Sequence, residues 1–433
     1  MEESLTKSQV VALDNLINWY HGNRSFAILH GAAGYGKTYL LNIFLAKLGN
    51  TVKPLLLADT NEATNVLRQI TNGGYQATTI CSALGLALSA EGAKQVLVKR
   101  TEPDLSDYNL IIVDECSMLD TDKLKYLEDT GKYVLYSGHV SQLPPVIENL
   151  SVDDNCISPV FEQDYPLFNL TDPVRNTGEI FEFCQEAEKL IYKRGVLPYK
   201  FKESKEYVRK YLHDNRDLVF NNETVFLAYS NKRVEQLNHS ARLAIFKKKS
   251  ADLELFYPED KVIFRSPTLV FNMPVKLGTT KLEQIVRKGI SHNQAATNSR
   301  GVVRAVKTKT ILGVLCHELF VEVNTFEKKF SGYVYVALDL VAKEELRKKM
   351  YVTALYDHNK VTAQKKWEAY HNLSLVLSNT KHSYAMTVHC SQGSTIQNVF
   401  IDESDIDKCN NSVLRRKLKY VAFSRAAKNL YRI

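Results

Sequence analysis

Short apolar runs alternate with helix-like stretches through about the first 170 residues of the chain. Four of these runs are brief, rich in aliphatic residues and ended by turn or polar residues: 26–31, 52–59, 108–115 and 133–139. Runs of this kind are typical of strands that are buried on both faces. Candidate helices lie between them, at 8–21, 37–48 and 62–71. Strands that alternate with helices predict an α/β fold with a parallel sheet covered on both sides.

The alternation resumes over residues 173–250, around the apolar run 224–230. From about residue 251 the pattern changes to longer strand-like runs, divided by Gly, Asn, Lys and Ser, at 261–271, 311–326 and 332–340. Beyond the charged stretch 341–370, α/β texture returns at 383–389 and 398–402. We therefore predict that a small β-rich domain interrupts an α/β domain.

The composition indicates the class of protein and its cellular compartment. The 433 residues are 45% hydrophobic and 24% charged, which is ordinary for a soluble globular protein. Seven cysteines lack C-x-x-C spacing, the start is polar, and no apolar run approaches the ~20 residues of a membrane span. We expect a protein of the reducing cytoplasm, without a membrane partner.

Charge points weakly to a polyanionic partner, because the net charge is +8. The segment 408–433 holds eight Lys or Arg and no acidic residue. A solvated helix face is the alternative reading of this segment.

A glycine-rich loop supplies the first candidate chemistry. The segment GAAGYGKT follows the first apolar run and satisfies G-x-x-x-x-G-K-[ST]. Glycines let backbone amides approach phosphates in front of a helix N-terminus. Lys37 is placed to neutralise β- and γ-phosphate oxygens, and the Thr38 hydroxyl to bind Mg²⁺. The predicted nucleotide-binding residues are Gly31, Ala32, Ala33, Gly34, Tyr35, Gly36, Lys37 and Thr38.

Two adjacent carboxylates follow the third apolar run, in IIVDECS at 111–117. Asp114 is placed to bind Mg²⁺ and Glu115 to act as the base that polarises an attacking water. Alone, a D-E pair after an apolar run is more often surface decoration than catalysis. With the glycine-rich loop upstream, it predicts an ATPase that uses Mg²⁺.

Further motifs decide what the hydrolysis is coupled to. They are GHVSQLPPV at 138–146, TDPVRN at 171–176, YAMTVHCSQGST at 384–395 and KYVAFSRAAKN at 419–429. In this order the motifs resemble those of superfamily 1 DNA helicases. QLPPV together with VHCSQGST is similar to the 5′-to-3′ group, in its Dda-type phage and RecD-like branch. LTKSQVVAL, LLLADTNEATNVL and ATTICSAL also match, but 251–375 scarcely does.

The resemblance implies two RecA-like motor domains in tandem. It places the first at 1–172 and the second at 173–250 and 376–433, with an inserted SH3-like β domain at 251–375. Segment 86–103 stands where related helicases carry a β-hairpin pin that separates the duplex, although a plain surface loop is the alternative.

The resemblance also implies individual roles. Gln142 would contact the γ-phosphate, while Arg175 and Arg425 would act as arginine fingers that stabilise charge during transfer. The further nucleotide contacts are Gln9 at adenine, Gln392 and Gly393. The residues expected to face a single DNA strand are Thr60, Asn61, Thr79, Asn231, Lys232 and His389. Capping is the alternative for the two threonines, and simple packing is the alternative for the histidine.

Three positions depart from the family's pattern. His139 replaces the usual Asp after Gly138, Asp59 replaces a Pro, and Cys81 stands where His is common. None removes a group needed for hydrolysis, so the departures bear on coupling. Asp59 would bring a negative charge to the expected phosphate track unless it points into solvent or caps a turn.

The sequence thus predicts a monomeric, Mg²⁺-requiring, ATP-dependent DNA helicase that moves 5′-to-3′. Its expected partners are single-stranded DNA and junctions with duplex, with a single-strand binding protein or replication proteins as further candidates. A phage origin, and hence a host cytoplasm and a role in phage DNA replication, recombination or repair, is the expectation. The rivals are an ATPase that strips proteins from single strands and a helicase-like subunit of a partner complex.

Overall fold

A computed structural model describes residues 5–91, 94–99, 101–145, 156–174, 178–193, 223–275, 292–324 and 329–433. The strands are β1 Phe26–His30, β2 Pro54–Ala58, β3 Gln76–Thr79, β4 Leu86–Glu91, β5 Lys94–Lys99, β6 Leu110–Val113, β7 Tyr133–Gly138, β8 Leu167–Asn169, β9 Thr224–Ala228, β10 Lys261–Phe264, β11 Thr268–Phe271, β12 His292–Ala295, β13 Arg300–Ile311, β14 Val314–Asn324, β15 Lys329–Ala337, β16 Thr380–His382, β17 Ala385–Thr387, β18 Ile396–Ile401 and β19 Ala426–Arg432. The helices are α1 Lys7–Tyr20, α2 Lys37–Leu48, α3 Asn61–Ile70, α4 Ile80–Ala83, α5 Thr121–Glu128, α6 Glu179–Lys189, α7 Asn231–Phe246, α8 Leu340–Leu355, α9 Lys360–Val376, α10 Val388–Ser391, α11 Glu403–Ile406 and α12 Ser412–Phe423.

The first sheet is parallel and has six strands in the order β3-β2-β6-β7-β1-β8. Its central strands are buried throughout, as their unbroken aliphatic sequences require of a sheet covered on both faces. The three predicted motifs follow β1, β6 and β7, which are neighbours. Because parallel strands end at the same edge, the motifs meet there, and β7 lies directly beside β6 as the γ-phosphate contact requires. We call this sheet and its helices the first motor domain.

The second sheet is also parallel, in the order β17-β9-β18-β19. Its core gathers α6 and α12 against β9 and β18, through residues such as Phe183, Val225 and Val421. We call this sheet and its helices the second motor domain. The two RecA-like parallel sheets expected from the motif order are therefore present.

Both motor domains lie in one compact unit, made of Met1–Leu237 and Ala385–Ile433. The other unit, Asn238–Tyr384, holds a seven-stranded sheet in the order β12-β11-β15-β14-β13-β10-β16 with antiparallel pairing. The β-rich character expected of the insert is correct. The charged stretch 341–370, which carried no predicted element, forms most of α8 and α9. The SH3-like assignment and the predicted boundaries 251 and 375 stay predictions.

Segment 86–103 contains an antiparallel hairpin of β4 and β5, with Leu86 opposite Lys99. The hairpin predicted there is present, and its role as a pin stays a prediction. No helix in the described ranges is long and apolar enough to cross a membrane.

The basic segment 408–433 is not a solvated helix face. Arg432 forms a buried ion pair with Glu403, which Lys419 also contacts at 3.3 Å. Lys417 is 1% exposed, and Arg425 is also buried. These basic side chains are therefore buried or paired inside the unit. A count of charges along the sequence does not reveal this.

Candidate active site

The glycine-rich loop joins the end of β1 to α2, which begins at Lys37. Gly36 has a φ of 75°, and a Cβ there would come 2.5 Å from Gln9 Nε2, so glycine is required. No side chain caps α2, so its first amides face the loop as an anion site needs. Lys37 Nζ donates to the carbonyl oxygens of Gly31 at 2.7 Å and Ala32 at 3.3 Å. The loop therefore holds its lysine in place for a phosphate.

Gln9 supports this loop from α1. Its side chain is 0% exposed and accepts a hydrogen bond from the Thr6 amide at 3.0 Å, which completes a capping box. Its Nε2 donates to the Tyr35 carbonyl at 3.2 Å. The adenine contact of Gln9 stays a prediction. These hydrogen bonds explain why the glutamine of α1 lies beneath the glycine-rich loop.

The two carboxylates follow β6 at the same edge. Asp114 is 8% exposed, and the Ser137 hydroxyl donates to its Oδ1 at 2.9 Å. Burial, with the adjacent Glu115 carboxylate, raises the pKa of Asp114 to about 6. Glu115 has φ 54° and ψ 40°, a left-handed conformation that costs a non-glycine residue about 1–3 kcal/mol. Strain of this kind clusters at active sites.

Gly138 lets β7 approach this turn. A Cβ on Gly138 would lie 2.6 Å from Cys116 Sγ and 3.2 Å from the Cys116 amide nitrogen. The glycine of the third motif is thus required by its close packing against the second motif.

Two glutamines from different motor domains hold the Glu115 carboxylate. Gln142 Nε2 donates to Glu115 Oε2 at 2.5 Å, and Gln392 Nε2 donates to the same oxygen at 3.2 Å. Gln392 also donates to Ser117 Oγ at 3.1 Å. Both amide oxygens are buried and accept no hydrogen bond from any residue that the structure describes. These two acceptors, with the free side of the Glu115 carboxylate, suit a water molecule that is to be deprotonated.

Arg425 brings a buried cation from the second motor domain. Its Nε donates to the Val421 carbonyl at 3.1 Å and its Nη1 to the Ser394 carbonyl at 3.2 Å. Burial lowers the pKa of Arg425, and the Glu115 charge partly offsets this effect. Arg175, the other predicted arginine finger, lies outside the described residues.

These groups line one cleft of about 900 Å³. The lining includes the loop residues 32–38 with Asp114, Glu115, Gln142, Gly393 and Arg425. It also includes five residues of α6 that no motif marked: Ile180, Phe181, Cys184, Gln185 and Glu188. Helical periodicity gives the faces of α6 but not which face meets a cleft, so sequence reasoning missed them.

Thr38 and Asp114 suit Mg²⁺ that is held jointly with phosphates. Both line the cleft, and they supply the hydroxyl and carboxylate oxygens that Mg²⁺ prefers. The described residues contain no group of three or more His, Cys, Asp or Glu that would form a complete protein cage. Such a partial donor set is what nucleotide-dependent Mg²⁺ sites show.

Comparison with known proteins finds family matches over the segments that carry most of these motifs. Residues 20–148 match the AAA domain family, and residues 382–432 match the UvrD-like helicase C-terminal domain family. The structure is similar to that of two coordinating Pif1 helicases that unwind forked double-stranded DNA, with a TM-score of 0.53, 16% identity and coverage of 99% of this chain and 92% of that one. The chain shares the fold of this Pif1 helicase structure.

Two further relatives extend the comparison. The Bacteroides Pif1 helicase in complex with ADP-AlF3 and single-stranded DNA gives a TM-score of 0.52 at 15% identity, over 99% of this chain and 92% of that one. The ATP-dependent DNA helicase dda of Enterobacteria phage T4 is 25% identical over 260 residues, which are 56% of this chain and 58% of that protein. The alignment thus spans little more than half of the phage helicase.

In this helicase fold the two candidate DNA threonines act as caps. The Ala63 amide donates to Thr60 Oγ1 at 3.1 Å, and the Ser82 amide donates to Thr79 Oγ1 at 3.2 Å. The capping alternative is therefore correct for both, and DNA contact stays a prediction. The other candidates begin helices or lie in them: Asn61, Asn231, Lys232 and His389. Burial lowers the pKa of His389, whose ring centroid lies 6.2 Å from that of Tyr229.

One departure from the helicase pattern is neutralised locally. Asp59 Oδ1 lies 2.5 Å from Lys123 Nζ, and both side chains are largely buried. The carboxylate therefore neither points into solvent nor leaves an uncompensated charge. Cys81 is partly buried near this pair, and burial raises the pKa of its thiol.

Proposed function

We propose that the protein is an ATP-dependent DNA helicase that moves 5′-to-3′ along a single strand and unwinds the duplex ahead. The observation that carries this proposal is that Gln142 and Gln392, from different motor domains, both bind the Glu115 carboxylate. A catalytic base held from both sides makes hydrolysis depend on how the two domains are placed. That dependence is what a motor needs in order to convert hydrolysis into relative domain motion.

The chain's own groups account for the chemistry. Glu115 accepts a proton from the attacking water, while Gln142 orients that water. Lys37 and Arg425 stabilise the charge that develops on the transferred phosphoryl group. Mg²⁺, when bound with ATP by Thr38 and Asp114, neutralises phosphate charge. Arg175 is proposed as a second finger from the resemblance alone.

The proposed track is a single DNA strand, gripped by phosphate contacts and base stacking. The Pif1 structure with single-stranded DNA and the phage helicase favour this substrate. We place the contacts at the amino ends of α3, α4, α7 and α10, which carry the six candidate residues. A monomer acting in phage DNA metabolism is proposed from the same resemblance.

The test compares two duplexes in Mg²⁺ and ATP, one with a 5′ single-stranded tail and one with a 3′ tail. Displacement from the 5′-tailed duplex alone is expected. Displacement from the 3′ tail alone would reverse the polarity. Strand-stimulated hydrolysis without displacement would support the protein-stripping translocase or the partner-bound subunit.

A further inference from the structure

His139, which departs from the family's pattern in the third motif, is buried and has specific side-chain and backbone neighbours. Its side chain is buried at the end of β7 and stacks on His30, with ring centroids 4.4 Å apart and planes at 22°. The Ser141 amide donates to His139 Nδ1 at 3.2 Å. Nδ1 is therefore an acceptor, and the proton of the neutral ring resides on Nε2.

The Nε2 of His139 lies 3.2 Å from Oε1 of the Glu188 carboxylate. Burial and the positive field of Lys37 and Lys417 hold the pKa of His139 well below its usual range. The contact therefore places a neutral imidazole against a carboxylate. The Ser141 hydroxyl donates to the same Glu188 oxygen, also at 3.2 Å.

Glu188 belongs to the second motor domain. It lies on α6, whose Phe183 and Ala187 pack in the core of that domain. His139 and Ser141 belong to the first motor domain, and they lie within three residues of Gln142. The pair thus joins α6 to the segment that carries the glutamine on the catalytic base.

A second contact holds the same segment from α12. Lys417 Nζ donates to the Val140 carbonyl at 2.6 Å and to the Cys156 carbonyl at 2.5 Å. The second motor domain therefore holds residues 139–141 by a carboxylate on one side and by an ammonium group on the other. A displacement of that domain must break these bonds or carry the segment with it.

We propose that Glu188 is a positioning residue that couples movement of the second motor domain to Gln142, through its contact with His139 and its hydrogen bond from Ser141. The inference rests on the proposed function. It also explains the departure: the family's Asp at position 139 would set two carboxylates against each other in a buried site, where like charges are costly. His139 places an N–H group next to Glu188 where an aspartate would place a second carboxylate.

An exchange of the two side chains tests the pair. His139→Glu places two carboxylates together, so strand-stimulated kcat should fall about 10-fold or more while KM for ATP changes less than about 3-fold. Adding Glu188→His restores one donor and one carboxylate with the same total reach, and should recover most of the lost kcat. His139→Gln keeps a donor at the Nε2 position and should stay within about 3-fold of wild type.

Controls separate this effect from misfolding. Glu186→His makes the same change on an exposed position of α6 and should leave kcat unaltered. Melting temperature and binding of a fluorescent single strand report folding of every variant. Should His139→Glu fail to fold, Glu188→Ala removes the carboxylate without adding charge and should lower kcat with KM nearly constant.

Different results of these experiments would contradict the coupling role and the helicase proposal. Full activity of both His139→Glu and Glu188→Ala, or a double variant no better than the worse single variant, would overturn the coupling role while leaving a strand-stimulated wild type intact. A wild type whose hydrolysis ignores single strands would overturn the helicase proposal and this inference together.

Discussion

Asp114→Asn should stabilise the protein at neutral pH while abolishing hydrolysis. Asp114 is buried beside Glu115, and its pKa rises from an ordinary 3.8 to about 6. Because one pKa unit corresponds to 1.36 kcal/mol, ionising this carboxylate costs the folded state about 3 kcal/mol. Asparagine has the same shape as the neutral acid and can still accept the Ser137 hydrogen bond.

The sign of the pH dependence follows from the raised pKa. Well below its ordinary pKa of 3.8 the acid is neutral in both the folded and unfolded states, so wild type and variant should be equally stable there. The advantage of asparagine should grow between about pH 4 and 6 and stay constant above that range. At pH 7.5 we expect the melting temperature of Asp114→Asn to exceed that of wild type by about 3–6 °C.

The assay is thermal unfolding from pH 4.5 to 7.5 in EDTA without nucleotide. Asp122→Asn, at an exposed position nearby, removes the same charge and should change stability by less than about 0.5 kcal/mol. Adding ADP and Mg²⁺ should stabilise wild type more than Asp114→Asn, because only wild type offers the proposed carboxylate ligand. An asparagine variant that is less stable at pH 7.5, or a difference that does not change with pH, would refute this account of the site.

Three further substitutions test separate parts of the site. Lys37→Ala should abolish ATP hydrolysis and leave single-strand binding nearly intact, as measured by turnover and by fluorescence anisotropy; equal loss of both would indicate misfolding. Arg425→Ala should reduce kcat roughly 10³-fold with strand binding retained, and a loss below about 10-fold would remove its assignment as a finger. Gly138→Ala should lower stability by about 1–3 kcal/mol and impair hydrolysis, because its methyl group would press on Cys116. Gly178→Ala is the matched control, since a Cβ there meets no atom within 4 Å, and equal denaturation midpoints for the two would contradict the packing argument.

The parallel sheets could be predicted because the sequence patterns that indicate them are local. The runs around β1, β6 and β7 are mainly apolar, and each is followed at once by a chemical motif. Parallel pairing then brings these strand ends to one edge, which places Lys37 and Glu115 in the same cleft. The hairpin at 86–103 was also predictable, since its two arms are adjacent in the chain.

Contacts between distant segments could not be predicted in the same way. Glu188 lies on a helix that no motif marks, and its relation to His139 becomes visible only when the two motor domains are placed together. Lys417 belongs to a run of basic residues that is indistinguishable by composition from a solvated face, yet it is buried against two carbonyl oxygens. The helices α8 and α9 were missed because their charged and apolar residues show no clear division into faces.

The site also explains why its least stable features persist. Glu115 adopts a left-handed conformation, and its carboxylate adjoins a buried Asp114 that ionises at a cost to folding. Donors from Gln142 and Gln392 offset part of this cost, but only while the two motor domains hold both amides against the same oxygen. Bound cation and phosphate would offset the rest. The stability of the cleft and its occupation by nucleotide are therefore linked. Substitutions that relieve the repulsion between the Asp114 and Glu115 carboxylates should raise the stability of the protein. The same substitutions should remove the reason for the two motor domains to respond to ATP.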